Sequence, residues 1–154
     1  MPGCYVGTVV LTVPGSSPSE PGVLAGDTGV VRCQDGPVTG CSLSDFFELV
    51  DQLPEVTRSD VGRYWRVVVS DHTFGYVWEA TRTVGLKQTV AEQLALVAER
   101  PETFEVQFTS GAFGWVVVRL DGIERDELAE LTFEAWRLTA PAPLADRRGD
   151  RLPR

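Results

Sequence analysis

One histidine, His72, is the side chain of this 154-residue chain that best suits proton transfer near neutral pH. It stands beside Asp71 in a run of turn-forming residues, whereas a catalytic histidine needs partners held at hydrogen-bonding distance. The sequence has no histidine pair for a metal, no phosphate-binding glycine loop and no nucleophile-elbow motif. We therefore interpret His72 as an exposed turn residue and expect no enzymatic activity, no cofactor and no metal.

Carboxylates near the end of the chain form a second candidate group. Glu127, Glu130 and Glu134 lie three and four residues apart in succession, so they share one stripe of a helix. This spacing is ordinary for a solvated helix face, which is the interpretation we favour.

Basic side chains, which contact nucleic-acid phosphates, are unevenly distributed. Residues 58–87 carry five basic and three acidic side chains, whereas residues 88–139 carry four basic and ten acidic ones. The formal charge of the whole chain is −8, which opposes non-specific attraction to phosphate. Any DNA contact is therefore expected on the first predicted strands, at Arg63, Arg66, Arg82 and Lys87. Tail arginines that can assist are Arg147, Arg148, Arg151 and Arg154. The alternative is that all of these are ordinary surface residues in weak ion pairs.

Hydrophobic periodicity predicts the elements that hold these side chains. The predicted elements are a helix at 42–53, strands at 63–69, 73–80 and 81–87, a helix from 89 that ends before Pro101, strands at 103–109 and 113–120, and a helix at about Arg125–Thr139. Because hairpins outnumber crossovers, we expect an α+β fold with an antiparallel sheet of about five strands and helices packed on one face.

The same periodicity predicts which side chains are buried. In the first predicted strand, Trp65, Val67 and Val69 share the more apolar parity, so Tyr64 and Arg66 should point outward. Other aromatic residues of this region are Tyr76 and Trp78. Buried stripes are expected in the second and last helices and in the strand between them, at Val90, Leu94, Val97 and Ala98, at Leu128, Leu131, Ala135 and Leu138, and at Phe104, Val106 and Phe108.

The strand Phe113–Leu120 is apolar on both faces through its middle, a pattern typical of a central strand. Helices should cover one side of it and neighbouring side chains the other. We therefore interpret Trp115 as a packing residue rather than as part of a contact surface.

Composition divides the chain into three parts. Residues 1–40 hold 8 of the 15 glycines and 5 of the 10 prolines, so residues 1–41 are expected to be a disordered or weakly structured extension, or upstream sequence from a misassigned start. Residues 42–146 form the expected domain and residues 147–154 a flexible tail. Three cysteines without a CxxC pair favour a reducing compartment, and no apolar run is long enough to span a membrane. We expect a cytoplasmic protein.

The order of motifs over residues 43–145 resembles the MmcQ/YjbR family. The motifs that carry the resemblance are Leu53-Pro54, Leu86-Lys87, Pro101, Gly114-Trp115-Val116 with Val118 and Leu120, Trp136, and Ala140-Pro141. The resemblance implies a small α+β domain similar to the frataxin (CyaY-like) fold, with two β-hairpin "wings" for which DNA binding has been proposed. It implies no set of catalytic residues. Frataxin-like proteins carry acidic ridges, so the resemblance makes the stripe of Glu127, Glu130 and Glu134 a candidate for a weak divalent-metal site or a protein-docking surface.

These observations give one expectation and one alternative for the function. The expectation is a small, non-enzymatic DNA-binding or regulatory protein that binds through its hairpin wings. The alternative is a module that binds a protein or a small ligand through the open sheet face or the acidic last helix, with no nucleic-acid role.

Overall fold

The structure, a computed structural model, describes residues 40–154. Predictions for residues 1–39, including the extension and the misassigned start, lie outside the described residues. The α-helices are α1 (Leu43–Asp51), α2 (Val90–Glu99), α3 (Arg125–Thr139) and α4 (Ala142–Arg148). The strands are β1 (Val56–Asp60), β2 (Trp65–Val69), β3 (His72–Trp78), β4 (Thr83–Lys87), β5 (Phe104–Val106) and β6 (Trp115–Arg119).

The strands join in one sheet in the order β1-β2-β3-β4-β6-β5, and every neighbouring pair is antiparallel. The first four strands form a meander, and α2 then carries the chain across to β5 and β6. Only β4 and β6 are neighbours without being consecutive strands of the described chain. The predicted α+β fold with an antiparallel sheet is confirmed, with six strands instead of about five.

The additional strand is β1, at one edge of the sheet. Its sequence, Val-Thr-Arg-Ser-Asp, has a single apolar residue and therefore lacks the alternation that marks a half-buried strand. The guanidinium of Arg58 lies 4.7 Å from the centroid of the Phe47 ring and 3.3 Å from the carboxylate of Asp51. Contacts with α1 thus supplement the ladder hydrogen bonds that hold β1 against β2.

The helices pack on one face of the sheet. Strand residues that face them are fully buried, at Val67, Val69, Val77, Val84, Leu86, Val116 and Val118. α1 and α3 supply the opposing side chains, among them Phe46, Leu49, Leu128, Ala135 and Trp136. The indole Nε1 of Trp136 donates to the carbonyl oxygen of Pro54 at 3.2 Å, so this buried ring leaves no polar atom unpaired.

Helix α2 differs from its predicted orientation. The predicted stripe is wrong at three of its four positions, which are exposed: Val90, Leu94 and Ala98. Only Val97 packs against the core, and the buried residues are Leu96 and Gln93. The reason is a pair of hydrogen bonds, because the Gln93 amide nitrogen donates to the carbonyl oxygens of Gly111 and Trp115 at 2.9 and 2.6 Å. These bonds turn the glutamine toward the sheet and Leu94 toward solvent.

Strand β5 is shorter than predicted, because the ladder ends at Val106. Phe104 is buried as expected, but Val106 is 39% exposed and Phe108 is fully exposed. A 3-10 turn at Gly111–Phe113 includes the first residue of the next predicted strand, 113–120, so β6 begins only at Trp115. In α3 the bounds agree with the prediction, while Leu138 is exposed and the other three predicted positions are buried.

Beyond α3 the chain forms one more helix. Pro141 is the N-cap residue of α4, which begins at Ala142 and buries Leu144. Arg147 lies 3.7 Å from Glu55, and the backbone N–H of Arg154 donates to the side-chain oxygen of Gln52 at 2.8 Å. The flexibility of residues 147–154 stays a prediction.

Helix α1 begins with a capping box. Ser42 is the N-cap residue, and its hydroxyl accepts a hydrogen bond from the backbone N–H of Asp45 at 3.1 Å. In return, the Asp45 carboxylate accepts from the backbone N–H of Ser42 at 2.7 Å and from its hydroxyl at 2.6 Å. Arg125 of α3 donates to the same carboxylate and thereby connects the two helices.

This arrangement predicts a pH-dependent contribution to stability. The hydrogen bonds from Ser42, assisted by Arg125, lower the pKa of Asp45 below its ordinary value of 3.8. A lowered folded-state pKa stabilises the fold above the unfolded-state pKa, and this stabilisation is lost as the pH falls through the folded-state pKa. We expect Asp45→Asn to destabilise the protein at about pH 7 by no more than about 1 kcal/mol, since solvent screens the exposed carboxylate.

Urea unfolding of the wild type and Asp45→Asn measures this contribution. The difference between their free energies of unfolding should shrink as the pH falls from about 5 through the folded-state pKa. A difference that stays constant over that range would contradict the assignment. Asp146→Asn, which changes an exposed carboxylate of α4, is the control.

Candidate functional site

The sheet face opposite the helices carries four aromatic side chains in mutual contact. This aromatic cluster consists of Tyr64, Tyr76, Trp78 and Trp115. Tyr76 is central, with ring centroids 5.5 Å from Tyr64, 6.0 Å from Trp78 and 5.1 Å from Trp115. All four side chains are half-buried, and none belongs to the hydrophobic core or packs against it. Their rings therefore form a surface of the described domain rather than part of its interior.

Strand register brings these residues together from separate parts of the chain. Arg66, Tyr76, Gly85 and Val117 lie opposite one another on β2, β3, β4 and β6. Since successive side chains alternate between faces, Trp115 shares the face of Val117, two residues on. Arg66 is exposed, which agrees with its predicted outward direction. Val67 and Val69, which were predicted to face inward from the same strand, are buried.

Gly85 allows the Trp78 ring to lie against the sheet. A β-carbon at position 85 would stand 3.0 Å from both Cη2 and Cζ3 of Trp78 and 3.4 Å from Oε1 of Gln107. That Gln107 oxygen is buried and has no hydrogen-bond donor within residues 40–154.

Three cations share the open face with the aromatic cluster: Arg66, Lys87 and Arg119. Within residues 40–154 only Arg119 has a carboxylate partner, Glu105, at 3.3 Å. Lys87 pairs in register with Trp115, and its ammonium group donates to the carbonyl oxygen of Phe113. Three cations and one carboxylate give the strand residues of this face a charge of +2, in a chain whose total is −8.

The other two predicted site residues lie at one end of the sheet. Arg63 is in the connection between β1 and β2, and Arg82 is in the turn between β3 and β4, with φ of 54°. Antiparallel order brings both turns to the same end. Asp60 and Glu79 stand at that end as well, so its charge is mixed. The structure thus divides the predicted set, two residues on the open face and two at this turn end.

Trp115, which the sequence analysis interprets as a packing residue rather than as part of a contact surface, lies on the open face. Its strand is interior, between β4 and β5, and its ring contacts Tyr76. Sequence reasoning did not identify it, or Arg119, as part of a surface. Strand parity could have identified this surface. Trp115, Val117 and Arg119 lie on the same face of β6, and a charged residue such as Arg119 is expected to face solvent.

His72 is exposed at the start of β3, and its Nδ1 lies 2.9 Å from the carbonyl oxygen of Ser70. The preceding turn has positive φ at Ser70 and Asp71, which fits a tight hairpin. No hydroxyl or thiol nucleophile of the described residues is hydrogen-bonded to the imidazole. The interpretation of His72 as an exposed residue at a turn agrees with this placement.

The carboxylates of α3 are largely engaged in ion pairs. Glu127 accepts a hydrogen bond from Arg100, and Glu134 accepts two from Arg137, each at 2.9 Å. Hydrogen bonding to Glu127 raises the pKa of Arg100. Glu130 is exposed between them. Across residues 40–154, no three histidine, cysteine, aspartate or glutamate side chains are grouped to hold a metal ion.

The fold and this face define an α+β domain whose antiparallel sheet is covered by helices on one side and carries aromatic and basic side chains on the other. The family model YjbR matches residues 51–138, which is more than half of the chain, and the chain belongs to the YjbR family. The matched region includes the aromatic cluster and all the cations of the open face.

A solved structure with the same fold is that of the Deinococcus radiodurans protein DR2400, which has a DUF419 domain. The two chains are 18% identical, with a TM-score of 0.58, and the match covers 63% of this chain and 77% of that one. At this identity the likeness shows the fold alone. No curated protein matches the chain. No helix among the described residues is long and apolar enough to cross a membrane.

Proposed function

We propose that this member of the YjbR family is a non-enzymatic DNA-binding protein and that DNA lies on the open face of its sheet. The observation that carries the proposal is the combination of the aromatic cluster with cations that have no carboxylate partner among residues 40–154. Phosphate contacts supply much of the affinity for nucleic acids, and they need cations that are free to make them. Arg66 fulfils this requirement, and the Lys87 ammonium group keeps two N–H donors besides the one that bonds the Phe113 carbonyl oxygen.

This proposal moves the contact from the tips of the hairpin wings to the face of the sheet. Arg63 and Arg82 are exposed at the turn end, but Asp60 and Glu79 beside them repel phosphate. We assign these two arginines a secondary role, as contacts made by DNA that extends beyond the face. We also propose a cytoplasmic location, on the sequence evidence alone.

The alternative, a module for a protein or a small ligand, draws its support from the charge of −8. Its acidic-helix form is weakened because Glu127 and Glu134 already pair with arginines. Its sheet-face form uses the same aromatic surface but gives no role to the cations around it.

A binding titration tests the proposal. Fluorescence anisotropy with a labelled 20-nucleotide strand and the corresponding duplex, at about 50 and about 200 mM salt, should show binding of at least one form that weakens steeply with salt. Arg66→Ala combined with Lys87→Ala should lower the affinity about tenfold or more at the lower salt, and should reduce the slope of log K against log salt by about 1 to 2.

The matched control is Arg125→Ala combined with Arg137→Ala, which removes the same charge from α3. It should leave the affinity within about twofold, because α3 packs on the opposite face of the sheet. Arg63→Ala combined with Arg82→Ala should have an intermediate effect. Absence of binding to either form of DNA at about 50 mM salt would refute the proposal, since electrostatic affinity is greatest there.

A further inference from the structure

Resting on the proposed function, we infer that the open face binds single-stranded rather than double-stranded DNA, with unpaired bases stacked on the aromatic cluster. Proteins that bind single strands without strong sequence preference combine cations that follow the backbone with aromatic rings on which bases stack. Both components occur here on one surface. The cluster supplies four rings, and Arg66, Lys87 and Arg119 surround it.

The width of the sheet excludes the duplex from this aromatic surface. The major groove of B-DNA is about 12 Å wide and admits a helix or a two-stranded ribbon. Six strands about 4.8 Å apart span roughly 24 Å, so the face of this sheet cannot enter the groove. Tyr76 and Trp115 lie on the interior strands β3 and β6. Their rings can contact a base only when that base has left its pair and its stack.

The rings are also arranged to remain on the surface. The Trp78 indole rests over Gly85, and the planes of Tyr76 and Trp78 are inclined by only 30°. Trp115 lies against Tyr76 from the other side, at an interplanar angle of 45°. Mutual packing thus orders the cluster before any ligand arrives, which lowers the entropy that binding must overcome.

Charge favours a polyanion over a second copy of the chain as the occupant. The strand residues of this face carry a charge of +2, and their one carboxylate, Glu105, is already paired with Arg119. Two such faces would repel each other in a symmetric dimer, whereas a phosphodiester chain would find Arg66 and Lys87 without carboxylate partners among residues 40–154.

The experiment compares a labelled mixed-sequence 20-nucleotide strand with the duplex made from it, using the full chain at about 50 mM salt. We expect the single strand to bind at least about tenfold more tightly than the duplex and to quench tryptophan fluorescence. Trp115→Leu keeps apolar bulk but removes the stacking surface, and it should weaken single-strand binding about ten- to hundredfold. Tyr76→Leu is a second variant with the same expectation.

Phe108→Leu is the matched control, because Phe108 is a fully exposed aromatic residue outside the cluster. It should change neither affinity nor quenching. Circular dichroism melting curves verify that each variant is folded.

The outcomes separate the inference from the proposed function. A duplex bound as tightly as the strand, or strand binding that folded Trp115→Leu and Tyr76→Leu leave unchanged, would overturn the inference and leave DNA binding intact. Failure of both forms to bind would overturn the proposed function itself. Sedimentation that shows a dimer dissociated by Trp115→Leu would identify a second copy as the occupant and also overturn the inference.

Discussion

Alanine in place of Gly114 is expected to reduce the free energy of unfolding by about 2–5 kcal/mol, the sum of a left-handed backbone penalty and overpacking against a rigid neighbour. Gly114 has φ of 86° and is buried between a 3-10 turn and β6. A β-carbon there would stand 2.1 Å from the carbonyl oxygen of Gln88. The neighbour cannot yield, because the backbone N–H of Gln88 donates to the Gly114 carbonyl oxygen at 3.0 Å.

Gly62→Ala provides the control for this prediction. Gly62 has φ of 95°, but no atom lies within 4 Å of the position of its added β-carbon. Its substitution should therefore cost only the backbone term, about 1–2 kcal/mol. Urea unfolding monitored by circular dichroism measures both variants. Equal destabilisation by Gly114→Ala and Gly62→Ala would contradict the steric argument.

The second large effect is expected at Trp136. Its side chain is fully buried, stacks with Phe133 at a centroid distance of 5.9 Å and donates to the Pro54 carbonyl oxygen. Trp136→Ala should destabilise the protein by about 3–5 kcal/mol, because it creates a cavity and leaves a backbone acceptor without its donor. Trp136→Phe should recover a large part of the packing loss but not the hydrogen bond.

Trp115→Leu is the informative comparison, because it also alters a tryptophan but on the open face. It should cost less than half as much in unfolding free energy as Trp136→Ala, while DNA binding should change in the opposite order. The midpoint of thermal unfolding and the urea midpoint both report the stability difference. If Trp115→Leu proved as destabilising as Trp136→Ala, the aromatic cluster would have to be assigned to the core.

Much of the fold follows from local patterns of the sequence. The bounds of α3 and the inward parity of Val67 and Val69 were predicted, because each depends on neighbours close in sequence. The failures involve contacts between distant segments. Gln93 rotates α2 through hydrogen bonds to residues 18 and 22 positions away, which helical periodicity cannot represent.

The candidate site was predicted only in part for the same reason. Local charge indicated Arg66 and Lys87, and the structure does bring them to one face. The aromatic cluster depends on the pairing of β4 with β6, which places Trp115 beside Tyr76. No property of either segment alone specifies that pairing. Strand β1 was not predicted, because its polar sequence has no alternation of apolar and polar residues. It is held in place by its pairing with β2 and its contacts with α1.

The pairing of β4 with β6 would also couple the proposed DNA binding to the stability of the sheet. On one side of this junction lies the meander that supplies Tyr64, Tyr76 and Trp78, and on the other the later hairpin that supplies Trp115. A strand of DNA lying across the cluster would contact both parts and favour the closed junction over any state in which it has opened. By linkage, ligand at a hundred times its dissociation constant would raise the free energy of that opening by about 2.7 kcal/mol. Amide hydrogens of β4 and β6 should then exchange more slowly in the presence of DNA, so that the proposed ligand would act as a clamp between the two parts of the sheet.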